Sequence, residues 1–184
     1  MKVCLVYRVT GELGSILSVA ASKVNHRLGG GVIIPTDRGI PFHLTLRSPV
    51  KGLLKKQVRQ VCDTLQDMRG TEARITGWSS FVLSGAVFAR VVIDDTWSKE
   101  LDQLLASTPM GPEKSRVPHI TVVKGIESAS EIDAAIDTLK YWVPALPGWC
   151  LPIDQLTLYV KDEGERIWTS FSKINLRDVQ HALC

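Results

Sequence analysis

The feature that most constrains this chain is a phrase that occurs twice. His43-Leu44-Thr45-Leu46 follows Pro41-Phe42, and His119-Ile120-Thr121-Val122 follows Pro118; each copy reads His, apolar, Thr, apolar. On an extended strand successive side chains point to opposite faces, so the His and the Thr of each copy share one face and the two apolar residues take the other. A slip of one residue would bury the imidazole and expose the apolar pair, which fixes the register. Two such strands side by side would place two imidazoles and two hydroxyls around one small space.

One copy alone carries little weight, because a histidine on a half-buried strand is more often structural than chemical. The signal is the pair, each copy closely preceded by proline and followed by a helical pattern. A space of this kind has the size of a phosphate. Cleaving a phosphodiester without a metal needs a base for the attacking oxygen, an acid for the leaving oxygen and donors for the non-bridging oxygens. Histidine, with an ordinary pKa of about 6.5, serves in either of the first two roles near neutral pH. Threonine hydroxyls serve in the third.

In these two motifs the sequence resembles the 2H phosphoesterase superfamily, which includes the LigT-like RNA ligases and 2′,3′-cyclic phosphodiesterases and is defined by two His-x-Ser/Thr-x motifs. The resemblance implies an α+β, bilobal, pseudo-symmetric fold, with two antiparallel or mixed sheets lining a central groove and helices outside. The order strand, helix, strand, helix around each motif agrees with it. Residues 1–184 are then expected to form one domain of two intimately packed lobes, each carrying one motif. The implied activity is hydrolysis or transfer at a cyclic or 2′-linked phosphate of a nucleotide or RNA, with no cofactor and no metal. His43 and His119 would be the catalytic pair, with Thr45 and Thr121 binding the phosphate. Which imidazole is base, and whether ligation by the reverse reaction matters, stay open.

Further candidates come from position. Arg47 continues the period-two row of His43 and Thr45 and is expected to offer its guanidinium to the phosphate; a solvated strand-end arginine is the plain alternative. Lys124 is offset by one place from His119 and Thr121, so it is expected to point away unless a bulge intervenes, and it ranks below Arg47. Tyr159 and Trp168 are candidates for base stacking, against the commoner role of hairpin packing. Met110 to Arg116, with Gly111 and Pro112, reads as a loop flanking the groove. Lys55, Lys56 and Arg59 form a basic helix face that either meets RNA or is merely solvated.

Two other function classes compete. A catalytically silent nucleotide- or RNA-binding module would keep the groove without turnover, although intact His and Thr in both motifs favour an enzyme. A zinc hydrolase usually has three protein ligands, and no third ligand stands at a recognisable spacing. No stretch marks an obligate protein partner.

At 184 residues the chain is long enough to bury a sizeable core, and 45% hydrophobic with 22% charged residues is the balance of an ordinary soluble protein. A formal charge of +3 permits an anionic ligand without requiring a nucleic-acid binder. Cys4, Cys62, Cys150 and Cys184 form no Cys-x-x-Cys pair, so a cytoplasmic, reducing compartment is expected. The N-terminus, broken by Arg8, does not read as a signal peptide.

The periodicity predicts strands at Val3–Val9, from Thr71 to Gly77 and over Phe81–Ile93, with a hairpin or bend at Trp78-Ser79-Ser80 between the last two, and a terminal hairpin around Asp162–Glu165. Helices are predicted from Leu13 to the Gly29-Gly30-Gly31 cap, over Lys51–Met68, around Trp97–Leu105 and after the Ser128/Glu131 capping box. Val32–Pro35 suggests a short strand and Thr36–Gly39 a turn.

Overall fold

The computed structural model describes residues 1–113 and 117–180. Among them the chain forms strands β1 (Lys2–Arg8), β2 (His43–Lys51), β3 (Arg69–Phe81), β4 (Ala86–Ile93), β5 (His119–Val123), β6 (Cys150–Ile153), β7 (Gln155–Lys161), β8 (Thr169–Asn175) and β9 (Arg177–Gln180). Its helices are α1 (Gly11–Arg27), α2 (Lys55–Leu65), α3 (Asp95–Ala106) and α4 (Ala129–Trp142). The fold is α+β, as expected. The spatial order is β6-β3-β4-β5-β2-β1-β7-β8, with β9 added beside β3. All neighbours along that path are antiparallel; only β9 lies parallel to its neighbour.

That order nearly reads the same from either end. The two motif strands, β2 and β5, meet in the middle, where Leu44 pairs with Ile120. Two half-sheets lining a groove are therefore continuous through one central pair. The helices follow the same two-fold relation: α1 packs on α4, and α2 on α3. Each helical pair thus takes one member from each half, so neither half covers its own sheet alone. A single cluster of buried apolar side chains runs through both, from Leu5, Leu17 and Leu44 to Ile120, Leu139 and Leu158.

Local chemistry explains most boundaries. Ser128 Oγ accepts the Glu131 backbone N–H at 3.2 Å and Glu131 Oε2 accepts the Ser128 N–H at 3.1 Å, the reciprocal cap expected for α4. Asp94 Oδ1 accepts the Trp97 N–H at 2.8 Å and starts α3. The triple glycine ends α1, with the Gly30 N–H on the Asn25 carbonyl at 2.8 Å. Other expectations shift. The hairpin turn lies at Val82–Gly85 rather than at Trp78–Ser80, because Gly85 takes a left-handed φ of 55° and its N–H closes onto the Val82 carbonyl. A Cβ on Gly85 would collide with the Ile126 backbone, so the turn sits tight on the segment after β5. Helix α2 begins at Lys55, not Lys51, because β2 continues through Lys51 to pair with Lys2. Val32–Pro35 supplies one bridge, Ile33 with Lys124, before a 3-10 turn at Pro35–Arg38. Among the described residues no helix is long and apolar enough to cross a membrane.

Leu44 and Ile120 are both fully buried, and they close the joint between the halves. Leu44→Ala or Ile120→Ala is expected to cost about 2–5 kcal/mol through lost burial and a residual cavity. Urea unfolding should show that loss as one cooperative transition at lower midpoint, not as the melting of one half.

Candidate active site

Each motif strand carries the same irregularity. Along β1 the pairing steps from Val6 opposite Thr45 to Leu5 opposite Arg47, which leaves Leu46 as an extra residue. Along β4 it steps from Phe88 opposite Thr121 to Val87 opposite Val123, which leaves Val122 as the extra residue. Bulges at the fourth place of both motifs reset the alternation of side chains. Beyond the bulge in β5, Lys124 returns to the face of His119 and Thr121. Beyond the bulge in β2, Arg47 departs from the face of His43 and Thr45.

The result is a cavity of about 290 Å³ whose walls include His43, Thr45, His119, Thr121, Lys124, Arg38 and Trp168. Extending the Leu44–Ile120 register by one residue puts His43 across from Thr121 and Thr45 across from His119. The two imidazoles are therefore diagonal to each other over the central pair, each beside the other motif's hydroxyl.

Both rings are tethered alike. His43 Nδ1 lies 2.8 Å from the Pro41 carbonyl oxygen, and His119 Nδ1 lies 2.6 Å from that of Val117. A carbonyl only accepts, so each Nδ1 carries the proton and each Nε2 is the free position for proton exchange. Surroundings differ. His119 is flanked by Phe81 and Phe88, each ring centroid 5.0 Å from its own, in edge-on and tilted contacts. His43 instead stands opposite Arg8 on the neighbouring strand β1.

Burial pushes the pKa of His43 below its ordinary value; the charges of Lys124 and His119 push the same way, against the Pro41 carbonyl. Burial likewise lowers that of His119, helped by Lys124 and opposed by the Val117 carbonyl. Lys124 is itself held below the usual lysine range, first by burial and then by Arg38. Its backbone is fixed by reciprocal bonds with Ile33, both 2.8 Å. An anion entering this cavity would meet two cations and two hydroxyls and would favour protonated imidazole.

Among the other sequence candidates, Trp168 lines the cavity and Tyr159 does not. Tyr159 is buried with Cys4, Val6 and Ile40, leaving no ring face for a base. Arg47 is committed elsewhere: its Nε and Nη2 donate to the Met110 carbonyl at 3.2 and 2.9 Å, Nε also to that of Gly111 at 2.9 Å, and Nη1 faces Glu113 at 3.4 Å. The expected phosphate contact is thus corrected to a clamp that anchors the start of the 110–113 loop. Residues 110–113 do not line the cavity, and 114–116 of the loop predicted to flank the groove lie outside the described residues.

Arg38 was missed by sequence reasoning, which saw only a turn at 36–39. Its placement depends on Gly39, whose φ is 79° and whose missing Cβ would come within 2.5 Å of Ile167 Cγ2 and 2.9 Å of the Trp168 carbonyl oxygen. The turn therefore lies directly on the 167–168 segment, and the Trp168 N–H donates to the Arg38 carbonyl at 3.2 Å. Cys4 forms part of the wall, but burial pushes its thiol up to about 12, so it is a neutral surface rather than a nucleophile. Among the described residues no group of three or more His, Cys, Asp or Glu side chains is placed to hold a metal ion.

No family model matches the sequence, and no curated protein matches it. Solved structures do share its architecture. The protein TT0787 of Thermus thermophilus superposes with a TM-score of 0.64 at 18% identity, covering 97% of this chain and 99% of that one. A structure described as a phosphoesterase follows at 0.60 and 14% identity, covering 96% and 99%. E. coli LigT complexed with phosphate gives 0.59 at 15% identity, covering 96% and 98%. The chain shares the α+β fold of these structures. It is LigT-like over nearly its whole length, with both His-x-Thr-x motifs at the joint between its halves.

The tethering and the electrostatics predict that both imidazoles titrate below about 6.5, as proton NMR of the His43 and His119 rings would detect. Lys124→Met, which keeps the apolar stem but removes the charge, should move both midpoints upward.

Proposed function

We propose that this chain is a metal-independent phosphodiesterase that opens a 2′,3′-cyclic phosphate or cleaves a 2′-5′ linkage in a nucleotide or RNA. The observation that carries this reading is the pair of imidazoles, each with Nδ1 pinned by a carbonyl, whose remaining nitrogens serve one cavity with two threonines and a lysine. LigT, whose fold the chain shares, has been crystallised with phosphate, 3′-AMP, NADP+ and ATP. Those ligands support a nucleotide as the kind of molecule this cavity receives.

For a cyclic phosphate, one Nε2 removes a proton from water as its oxygen bonds to phosphorus. The other histidine, protonated, gives its Nε2 proton to the ribose oxygen as the P–O bond breaks. Thr45, Thr121 and Lys124 donate to the non-bridging oxygens, where negative charge gathers in the transition state. Trp168 offers an aromatic wall to the base. For a linear 2′-5′ linkage the neighbouring 3′-hydroxyl takes the place of water in the first step. Run backwards with a second nucleotide's hydroxyl as nucleophile, the same groups would join ends.

A binding module of the same fold would show no turnover to lose. His43→Ala and His119→Ala are expected each to reduce kcat/KM by about 10²–10⁴-fold while keeping much of the affinity. Lys124→Met should cost about 10²–10³-fold. The rate should trace a bell against pH: it climbs as the base loses its proton and falls as the acid loses its own. With both imidazoles lowered, the optimum of kcat/KM belongs on the acid side of neutral. Activity should persist in excess chelator. A flat profile across the histidine range with chemistry rate-limiting, or abolition by chelator, would overturn the reading.

A further inference from the structure

We infer that the cavity adjoining the histidine pocket is a second phosphate subsite, taking the 5′-phosphate of the same nucleotide whose 2′- or 3′-phosphate lies between the imidazoles. This rests on the phosphodiesterase reading of the pocket and narrows its substrate. The second cavity, about 560 Å³, is lined by Arg38, Lys161 and Arg166 together with Asp37 and Glu165. Arg38 and Ile33 line both cavities, so the two lie side by side.

Its charges are arranged for an anion. Three cations face two carboxylates, and one of those is engaged within its own turn, since Asp37 Oδ2 accepts the Ile34 N–H at 3.3 Å. The guanidinium forks of Arg38 and Arg166 match the paired oxygens of a phosphate, and the Lys161 ammonium adds a mobile point charge.

The spacing is set by a rigid wall. Trp168 borders the histidine pocket, and Lys161 Nζ stands 5.4 Å from its ring centroid. The Gly39 contact and the bond from the Trp168 N–H to the Arg38 carbonyl lock this tryptophan to the arginine that both cavities share. A nucleoside lying along Trp168 therefore has one end at the histidines and the other at Arg38, Lys161 and Arg166. A nucleoside carrying only a cyclic phosphate leaves the second set of cations unused; a nucleotide within or at the 3′ end of a chain fills it. The substrate so defined carries a phosphate at C5′ as well as at C2′ or C3′.

Calorimetric titration of the intact protein with adenosine 3′-monophosphate and adenosine 3′,5′-bisphosphate tests this directly. The bisphosphate is expected to bind about tenfold more tightly, the gain of one well-placed charge-assisted contact. In Arg166→Ala, and in the Lys161→Ala/Arg166→Ala double variant, that ratio should fall below about threefold, with folding checked by thermal melting. Equal affinity for the two compounds in the unmodified protein overturns the subsite alone, as does a tenfold ratio that survives in folded Arg166→Ala. If neither compound binds, the phosphate reading of the histidine pocket fails and the subsite falls with it.

Discussion

The site depends on one antiparallel contact, Leu44 against Ile120. Their side chains enter the core, and that burial, worth roughly 1.5–3 kcal/mol for each residue, holds the motif strands together at their centres. Because alternation on each strand is strict at this point, the same contact turns His43, Thr45, His119 and Thr121 outward onto the opposite face. Packing and chemistry are two sides of one pair of strands. The packing of α1 on α4 and of α2 on α3 then makes it costly for the strands to separate.

Beyond that centre the charges are arranged by the two bulges rather than by regular pleating. Leu46 and Val122 are the inserted residues, and each sends the following side chains to the face they would not otherwise occupy. One bulge brings Lys124 to the pocket; the other takes Arg47 away to the carbonyls of Met110 and Gly111. Lys124 and Arg38 then sit close enough that Arg38 helps depress the lysine and Lys124 helps depress both histidines. The pocket is thus electrostatically unsettled in the direction an anion relieves.

The motifs, the outward histidines and threonines and most helices were legible because they are carried by local periodicity. The reciprocal cap at Ser128 and Glu131 was legible for the same reason. Arg47 and Lys124 take the opposite faces from those expected because a bulge is nearly silent in sequence: Leu46 and Val122 are apolar and buried whether or not a residue is inserted there. Arg38 escaped notice because its role arises from a contact with Trp168, 130 positions later, enabled by a glycine that reads locally as an ordinary turn residue. Tyr159 and Trp168 looked alike as hairpin aromatics. Both touch the cluster of Cys4, Val6 and Ile40, but Tyr159 is buried within it, whereas Trp168 is only partly buried against it and lines the cavity.

The paired tethers have a consequence for how the proposed reaction begins and ends. Each ring keeps its Nδ1 proton, so one catalytic event leaves the former base charged and the former acid neutral. By the two-fold relation of the halves, that finishing arrangement is the mirror of the starting one. A resting molecule so built has no built-in direction of travel; it faces forward or backward according to which oxygen nucleophile is at hand.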